Sequence, residues 1–199
     1  KGAVVIMEPK TGRVLAMASR PPFSPNNMKS ALTNPLSPLI NRAITPYPAG
    51  SILKIVVAAC GLEKDVVSLS DRFYDPGFID VGSKRFRCYL YDSEGHGWIS
   101  FLDAMAYSCN SVFIETALRV GGKSLVDFYE SLGFGAATGI SLPFEQPGQL
   151  PGTYNMSPQD TANLAIGQGE VSVTPLQVAV LLSVIANGGE LVSPKLVSE

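Results

Sequence analysis

Between Ile52 and Leu62 the chain reads Ile, Leu, Lys, Ile, Val, Val, Ala, Ala, Cys, Gly, Leu, apolar on every side of a helix except for one lysine. A helix apolar all round is normally enclosed by the rest of its fold, so the pattern predicts a buried helix opened by Ser51 and running to about Lys64. Residues 3–19 form two apolar or β-branched runs around Glu8-Pro9-Lys10-Thr11-Gly12, which predicts a hairpin with Gly12 in the turn. Residues 21–50 are rich in Pro, Asn and Ser and predict a long irregular connection, of the kind that tends to carry function. Residues 68–97 are turn-rich and aromatic-rich, with short strands at most. Residues 100–119 show helical spacing on both sides of a small polar knot, Ser108-Cys109-Asn110-Ser111. A short amphipathic helix is expected from Lys123 to Leu132, loop from Gly133 to Gly152, and helix over 157–165, broken by Gly167-Gln168-Gly169. Thr174-Pro175-Leu176-Gln177 is a strong helix start, with Thr as N-cap, Pro at the first position and Gln closing a capping box; Asn187-Gly188-Gly189 ends that helix. Helices in the middle and strands at both ends predict an α+β domain with an incomplete sheet.

Composition narrows the classes. The chain has 199 residues, 46% of them hydrophobic and 16% charged, enough for a substantial core. Fifteen basic and seventeen acidic residues give a net charge of -2, which leaves no electrostatic case for nucleic acid. The three cysteines, Cys60, Cys88 and Cys109, form none of the close-spaced pairs that structural zinc sites use. No HExxH, P-loop or paired Cys/His set occurs, so neither metal nor cofactor is expected. His96, the only histidine, sits between glycines in a turn and is expected to be structural; Asp103 and Glu115 read as solvated-face residues. The chain begins at Lys1 without a leader and ends in an unfinished strand-like pattern, which predicts a piece of a longer protein.

Ser51 and Lys54 stand at i, i+3, which on a helix puts both side chains on one face about 5–6 Å apart. Burial penalises an ammonium and lowers its pKa, and a neutral amine is a competent base for a serine hydroxyl. The positive end of the helix would favour a developing alkoxide at Ser51. A serine N-cap with a lysine whose stem packs on the core would give the same pattern without chemistry. In the polar knot, a Ser108 hydroxyl could relay a proton and an Asn110 amide could bind a peptide-like carbonyl. An ordinary helix–helix turn would also use those residue types.

Together, in this order and spacing, SxxK (Ser51, Lys54) followed by SxN (Ser108, Asn110) resembles the penicillin-recognising serine enzymes. MEPKTGRVLAMASRPPFSPN, NRAITPYPAGSILK, HGWISFLDAMAYSCNSVF, SLGFGAATGISLPFEQPGQLP and AIGQGEVSVTPLQVAVLLSVIANGG are similar to successive segments of that family, and so span essentially the whole chain. The likeness is in particular to the transpeptidase domain of class B penicillin-binding proteins, C-terminally incomplete. It implies a β-lactamase/transpeptidase-like fold, with residues 1–20 as N-terminal hairpin, 21–189 as a mostly helical part and 190–199 as the start of a return to the sheet. It implies Ser51 as acylated nucleophile, Lys54 as its base, Ser108 as proton relay and Asn110 as contact to the donor peptide.

The family's third motif, KTG, belongs downstream of SxN on a strand. Lys10-Thr11-Gly12 lies upstream in the hairpin and is read as a decoy, Gly122-Lys123-Ser124 as a helix start, and the true motif is expected beyond Glu199. The resemblance implies a peptidoglycan D,D-transpeptidase, acylated by β-lactams, without cofactor. Its partners would be stem peptides and other cell-wall assembly proteins. It would work at the outer face of the bacterial cytoplasmic membrane, on an anchor absent from this chain. A serine β-lactamase, a D,D-carboxypeptidase or a non-catalytic β-lactam sensor or scaffold are the competing readings.

Overall fold

A computed structural model describes residues 1–196. In chain order its strands are β1 (Gly2–Met7), β2 (Val14–Arg20), β3 (Arg72–Asp75), β4 (Phe78–Val81), β5 (Lys84–Arg87) and β6 (Gly97–Ser100). The helices are α1 (Met28–Thr33), α2 (Lys54–Glu63), α3 (Phe101–Ala106), α4 (Asn110–Val120), α5 (Gly122–Ser131), α6 (Pro158–Ala165) and α7 (Pro175–Ala186). The mixture of helices and antiparallel strands is the expected α+β class. The chain divides into two compact units, one of residues 1–47, 130–149 and 172 onward, the other of 48–129 and 150–171.

In the first unit β1 and β2 pair antiparallel with one irregularity between Ile6 and Met7. Lys10-Thr11-Gly12 is their turn. Gly12 is required there, because its φ is +76° and a Cβ would fall 2.1 Å from the Ser193 carbonyl oxygen. The hairpin lays Val5, Val14 and Met17 on a core of Ile44, Ile140 and Leu176 and leaves Val4, Ile6 and Leu15 outward and exposed. α7 starts as expected. Thr174 Oγ1 accepts from Gln177 N, Gln177 Oε1 accepts from Thr174 N, and the same buried amide donates to the carbonyls of Ala136 and Pro147 at 2.9 Å each. The expected return to the sheet over 190–199 lies partly outside the described residues; within them Lys195 bridges Arg13 in parallel.

Two short local elements escape the sequence pattern. Within the stretch expected to be irregular, Asn27 accepts from Ser30 N and opens α1, and Asn41 likewise caps a 3-10 turn at Arg42–Ile44. Six residues are too few for a 3.6-residue period to stand out, and side-chain caps decide such short turns.

In the second unit α2 packs on α4, and α4 on α6 and on strands β3, β4 and β5. The strands form two ribbons, β3 with β6 and β4 with β5, as the turn-rich reading of 68–97 expects. α2 is sealed by Leu53, Val56, Val57 and Cys60, all at 0% exposure, which is the enclosure its all-round apolar sequence demands. Gly61 permits the close approach of α2 to α4, since a Cβ there would lie 2.8 Å from Thr116 Cγ2.

Candidate active site

The SxxK segment enters its helix through a tight 3-10 turn, Gly50–Leu53, before α2 proper begins at Lys54. Gly50 donates its N–H to the carbonyl of Gly167 at 3.1 Å. Gly167 itself has φ +67°, and a Cβ there would sit 2.1 Å from the Gly50 carbonyl oxygen. The Gly167-Gln168-Gly169 break is therefore a backbone buttress directly behind the serine. Ser51 is exposed, while Lys54 is 1% exposed. Exposed hydroxyl and buried amine alternate within one turn because Lys54 begins the face that packs into the second unit.

Across the unit, α3 ends in a Schellman turn. Ser108 N donates to Met105 O at 3.1 Å and Cys109 N to Ala104 O at 2.9 Å, with Ser108 itself left-handed at φ +54°. Glycine is the usual residue at that position, and a serine costs strain there. The reversal aims both the carbonyl and the hydroxyl of Ser108 at the lysine: Lys54 Nζ donates to Ser108 O at 2.5 Å and to Ser108 Oγ at 3.0 Å. The third acceptor is Asn110 Oδ1 at 2.6 Å, and Asn110 Nδ2 donates to Arg87 O at 2.8 Å, which orients the amide. Thus three of the four residues singled out in the sequence, Lys54, Ser108 and Asn110, form one hydrogen-bonded group. The fourth, Ser51, is joined to it through the one-turn spacing of SxxK; among the described residues, Lys54 Nζ bonds to the SxN side and not to Ser51.

Burial lowers the Lys54 pKa from 10.5 to about 8, against the opposing pull of the Cys88 and Cys109 thiols. The sequence suggests an amine already neutral at pH 7. Burial moves the amine in that direction, and the three acceptors are those its protonated form takes. Phe113 lies below, its ring centroid 5.8 Å from Nζ.

Behind the SxN turn is a polar cluster that spacing in the sequence does not reveal. Asp75, Cys88, His96 and Cys109 each bring one ligand-type atom to within 4.8 Å of the others. Asp75 Oδ2 lies 2.6 Å from His96 Nδ1, and Asp75 Oδ1 accepts from Ser111 Oγ at 2.7 Å and Gly77 N at 2.9 Å. Burial raises the Asp75 pKa, but hydrogen bonds from His96, Ser111 and Gly77 outweigh it and hold the carboxyl at about 2. His96 is stacked on Tyr107 at 5.5 Å between ring centroids, and its Nε2 lies 3.3 Å from Tyr89 Oη. The cluster explains why the solitary histidine is buried at the side chain.

Other expectations fall into place. Lys10-Thr11-Gly12 is a turn whose Thr11 hydroxyl is engaged by the Glu8 carboxylate, and Gly122-Lys123-Ser124 opens α5, with Lys123 paired to Asp127 at 2.7 Å. Asp103 is exposed as expected and also closes a capping box with Ser100 at the start of α3, while Glu115 is half-buried and paired with Arg119 one turn on. A polar cavity of about 290 Å³ in the same unit is lined by Asn155, Asp160, Asn163, Gln168 and Glu170 among others, and by none of the four SxxK and SxN residues.

A hydroxyl one helical turn from a buried amine, with that amine oriented by a second hydroxyl and an amide, has the chemical make-up of an activated-serine site. The chain belongs to the penicillin binding protein transpeptidase domain family, whose model matches residues 2–199. Among curated proteins it is 38% identical over 199 residues to Stage V sporulation protein D of Bacillus subtilis, covering 98% of this chain and 30% of that protein. It is 32% identical over 212 residues to the peptidoglycan D,D-transpeptidase MrdA of Acinetobacter baumannii, covering 98% of this chain and 32% of that protein. Among solved structures it superposes on Pseudomonas aeruginosa PBP2, crystallised in complex with WCK 5153, with a TM-score of 0.92 and 31% identity, covering 100% of this chain and 47% of that one. The chain spans about a third of the length of these curated relatives.

Proposed function

We propose that this chain carries the nucleophile half of a peptidoglycan D,D-transpeptidase active site. The observation that carries the reading is the buried Lys54 ammonium, one turn after an exposed Ser51 and held by Ser108 and Asn110. Ser51 Oγ attacks the carbonyl carbon between the two terminal D-Ala residues of a stem peptide, and its proton passes to the neutral form of Lys54. The tetrahedral adduct collapses with expulsion of D-Ala, whose amine takes a proton relayed through the Ser108 hydroxyl. The remaining acyl group is an ester of Ser51. An amine from a neighbouring strand attacks that ester, forming the cross-link amide and returning the hydroxyl.

Asn110 holds one N–H on Arg87 and has a second to offer to the donor-peptide carbonyl. A β-lactam follows the first half of this course, except that its ring amide opens without a fragment leaving, so the ester persists. The domain works at the outer face of the cytoplasmic membrane with partners in cell-wall assembly, as part of a longer protein; among the described residues no helix is long and apolar enough to cross a membrane.

The test is covalent labelling of the full-length parent with a fluorescent penicillin. A denaturation-stable adduct is expected, and Ser51→Ala should abolish it. Labelling that persists in Ser51→Ala would assign the chemistry to another residue.

A further inference from the structure

We propose that Arg87 is a specificity residue whose guanidinium binds a carboxylate carried by the donor peptide upstream of the scissile bond. This deepens the function proposed above and rests on it. Arg87 ends β5, Lys84-Arg85-Phe86-Arg87, which pairs antiparallel with β4. Strand alternation buries Phe86 and turns Arg85 and Arg87 to one exposed face. The main chain of Arg87 already belongs to the Lys54 group. Its carbonyl accepts from Asn110 Nδ2 at 2.8 Å, and Oδ1 of the same amide accepts from Lys54 Nζ at 2.6 Å. A donor carbonyl taken by the second N–H of Asn110 therefore carries the retained acyl half of the peptide past Arg87.

The guanidinium is held in place by a ladder of rings. Arg85 Cζ lies 3.9 Å from the Phe78 ring centroid, Phe78 meets Tyr91 edge-on at 5.9 Å, and Arg87 Cζ lies 4.3 Å from the Tyr91 centroid. Stacking covers one face of a guanidinium and leaves its N–H groups, which lie in the plane, free to donate. The two arginines then differ in their partners. Arg85 is neutralised by Asp80 through two bonds of 2.8 and 2.7 Å, whereas Arg87 has no ion-pair partner among the described residues.

An exposed cation with its planar fork free and its side chain already ordered by a ring is pre-organised for a carboxylate, because little rotamer freedom is left to lose on binding. The ligand class is thus an acidic peptide rather than a neutral one. The contact is remote from the bond that breaks, so it is made alike in the ground state and the transition state. It lowers KM and leaves kcat nearly as it was.

The experiment measures D-Ala release by the full-length parent from two synthetic donors ending in D-Ala-D-Ala. They differ only in an upstream side chain, a carboxylate in one and its carboxamide in the other. Wild type should prefer the acid by about 5-fold in kcat/KM, through KM, and the preference should shrink as ionic strength rises. In Arg87→Gln the ratio should fall to about one; Arg87→Lys, which keeps the charge but not the planar fork, should retain part of it. Arg119→Gln removes another exposed arginine stacked on a ring, that of Phe73, and should keep the full ratio. Each ratio is taken within one protein, so a variant that folds incompletely still reports it. Equal use of the two donors by wild type overturns the proposal, as does a preference undiminished in Arg87→Gln. Penicillin labelling of the same preparations separates the two readings: wild type labelled at Ser51 but without donor preference sinks this inference alone, whereas labelling that persists in Ser51→Ala sinks the function on which it rests.

Discussion

Lys54 Nζ lies 2.6 Å from Asn110 Oδ1, a contact between the first turn of α2 and the first residue of α4. It ties the two motifs together at the level of one proton donor, and it makes the asparagine an orienting group for the lysine as well as a candidate substrate contact.

That geometry leaves no room for a larger, permanently charged head. Lys54→Arg should keep the fold but lower penicillin acylation by about 10³-fold or more, since guanidinium is planar, bulkier and never neutral. Stopped-flow acylation alongside circular dichroism of the full-length parent reads both quantities. A variant acylating near the wild-type rate would reduce Lys54 to a packing residue.

Ser108 offers a cleaner separation of backbone from chemistry. Its φ of +54° is one that glycine adopts without strain. Ser108→Gly therefore should change stability by less than about 1 kcal/mol, the relief of strain offsetting the freer unfolded chain. Acylation should nevertheless fall by about 10²-fold or more through loss of the relay hydroxyl. Equal acylation in Ser108→Gly would mean that only the Ser108 carbonyl matters.

The lowered Lys54 pKa gives a direction for pH. Acylation should rise with pH up to a midpoint near 8, where Lys54 loses its proton, and fall about tenfold per unit below it. The titratable groups facing it are the thiols of Cys88 and Cys109, which oppose the shift. Stability moves the same way: between about 8 and 10.5 the unfolded chain holds a proton that the folded one has released, so this group adds stability as pH rises through that window. A flat rate profile from pH 6 to 9 would remove Lys54 from the role of base.

Gly167→Ala should damage the site from behind. A methyl group 2.1 Å from the Gly50 carbonyl, on a backbone at φ +67°, must displace the turn that carries Ser51. The expected cost is about 2 kcal/mol or more. Acylation should be lost well below the melting temperature of the variant, and a wild-type rate would show that the buttress is dispensable.

How much of this was legible in the chain depends on the range of the forces involved. The capping box of Thr174 and Gln177, the turn at Gly12, and the one-turn spacing of Ser51 and Lys54 are all settled within a few residues. Local hydrogen bonds and side-chain periodicity determine them, so the sequence alone suffices. The all-round apolar character of α2 likewise announces burial, though not what encloses it. Short α1 was illegible because one Asn27 cap, not a period, decides it.

Only the tertiary structure could bring Ser108 and Asn110 to Lys54, or show that a left-handed serine aims its carbonyl there. Only it could gather Asp75, Cys88, His96 and Cys109 from two ribbons and a helix turn into one cluster, where none forms a close-spaced motif. Those contacts join residues far apart in the chain, and their geometry follows from how α2, α4 and the short strands pack. No pattern of neighbouring residue types encodes that packing, because burying the same apolar faces in another arrangement would leave the pattern unchanged.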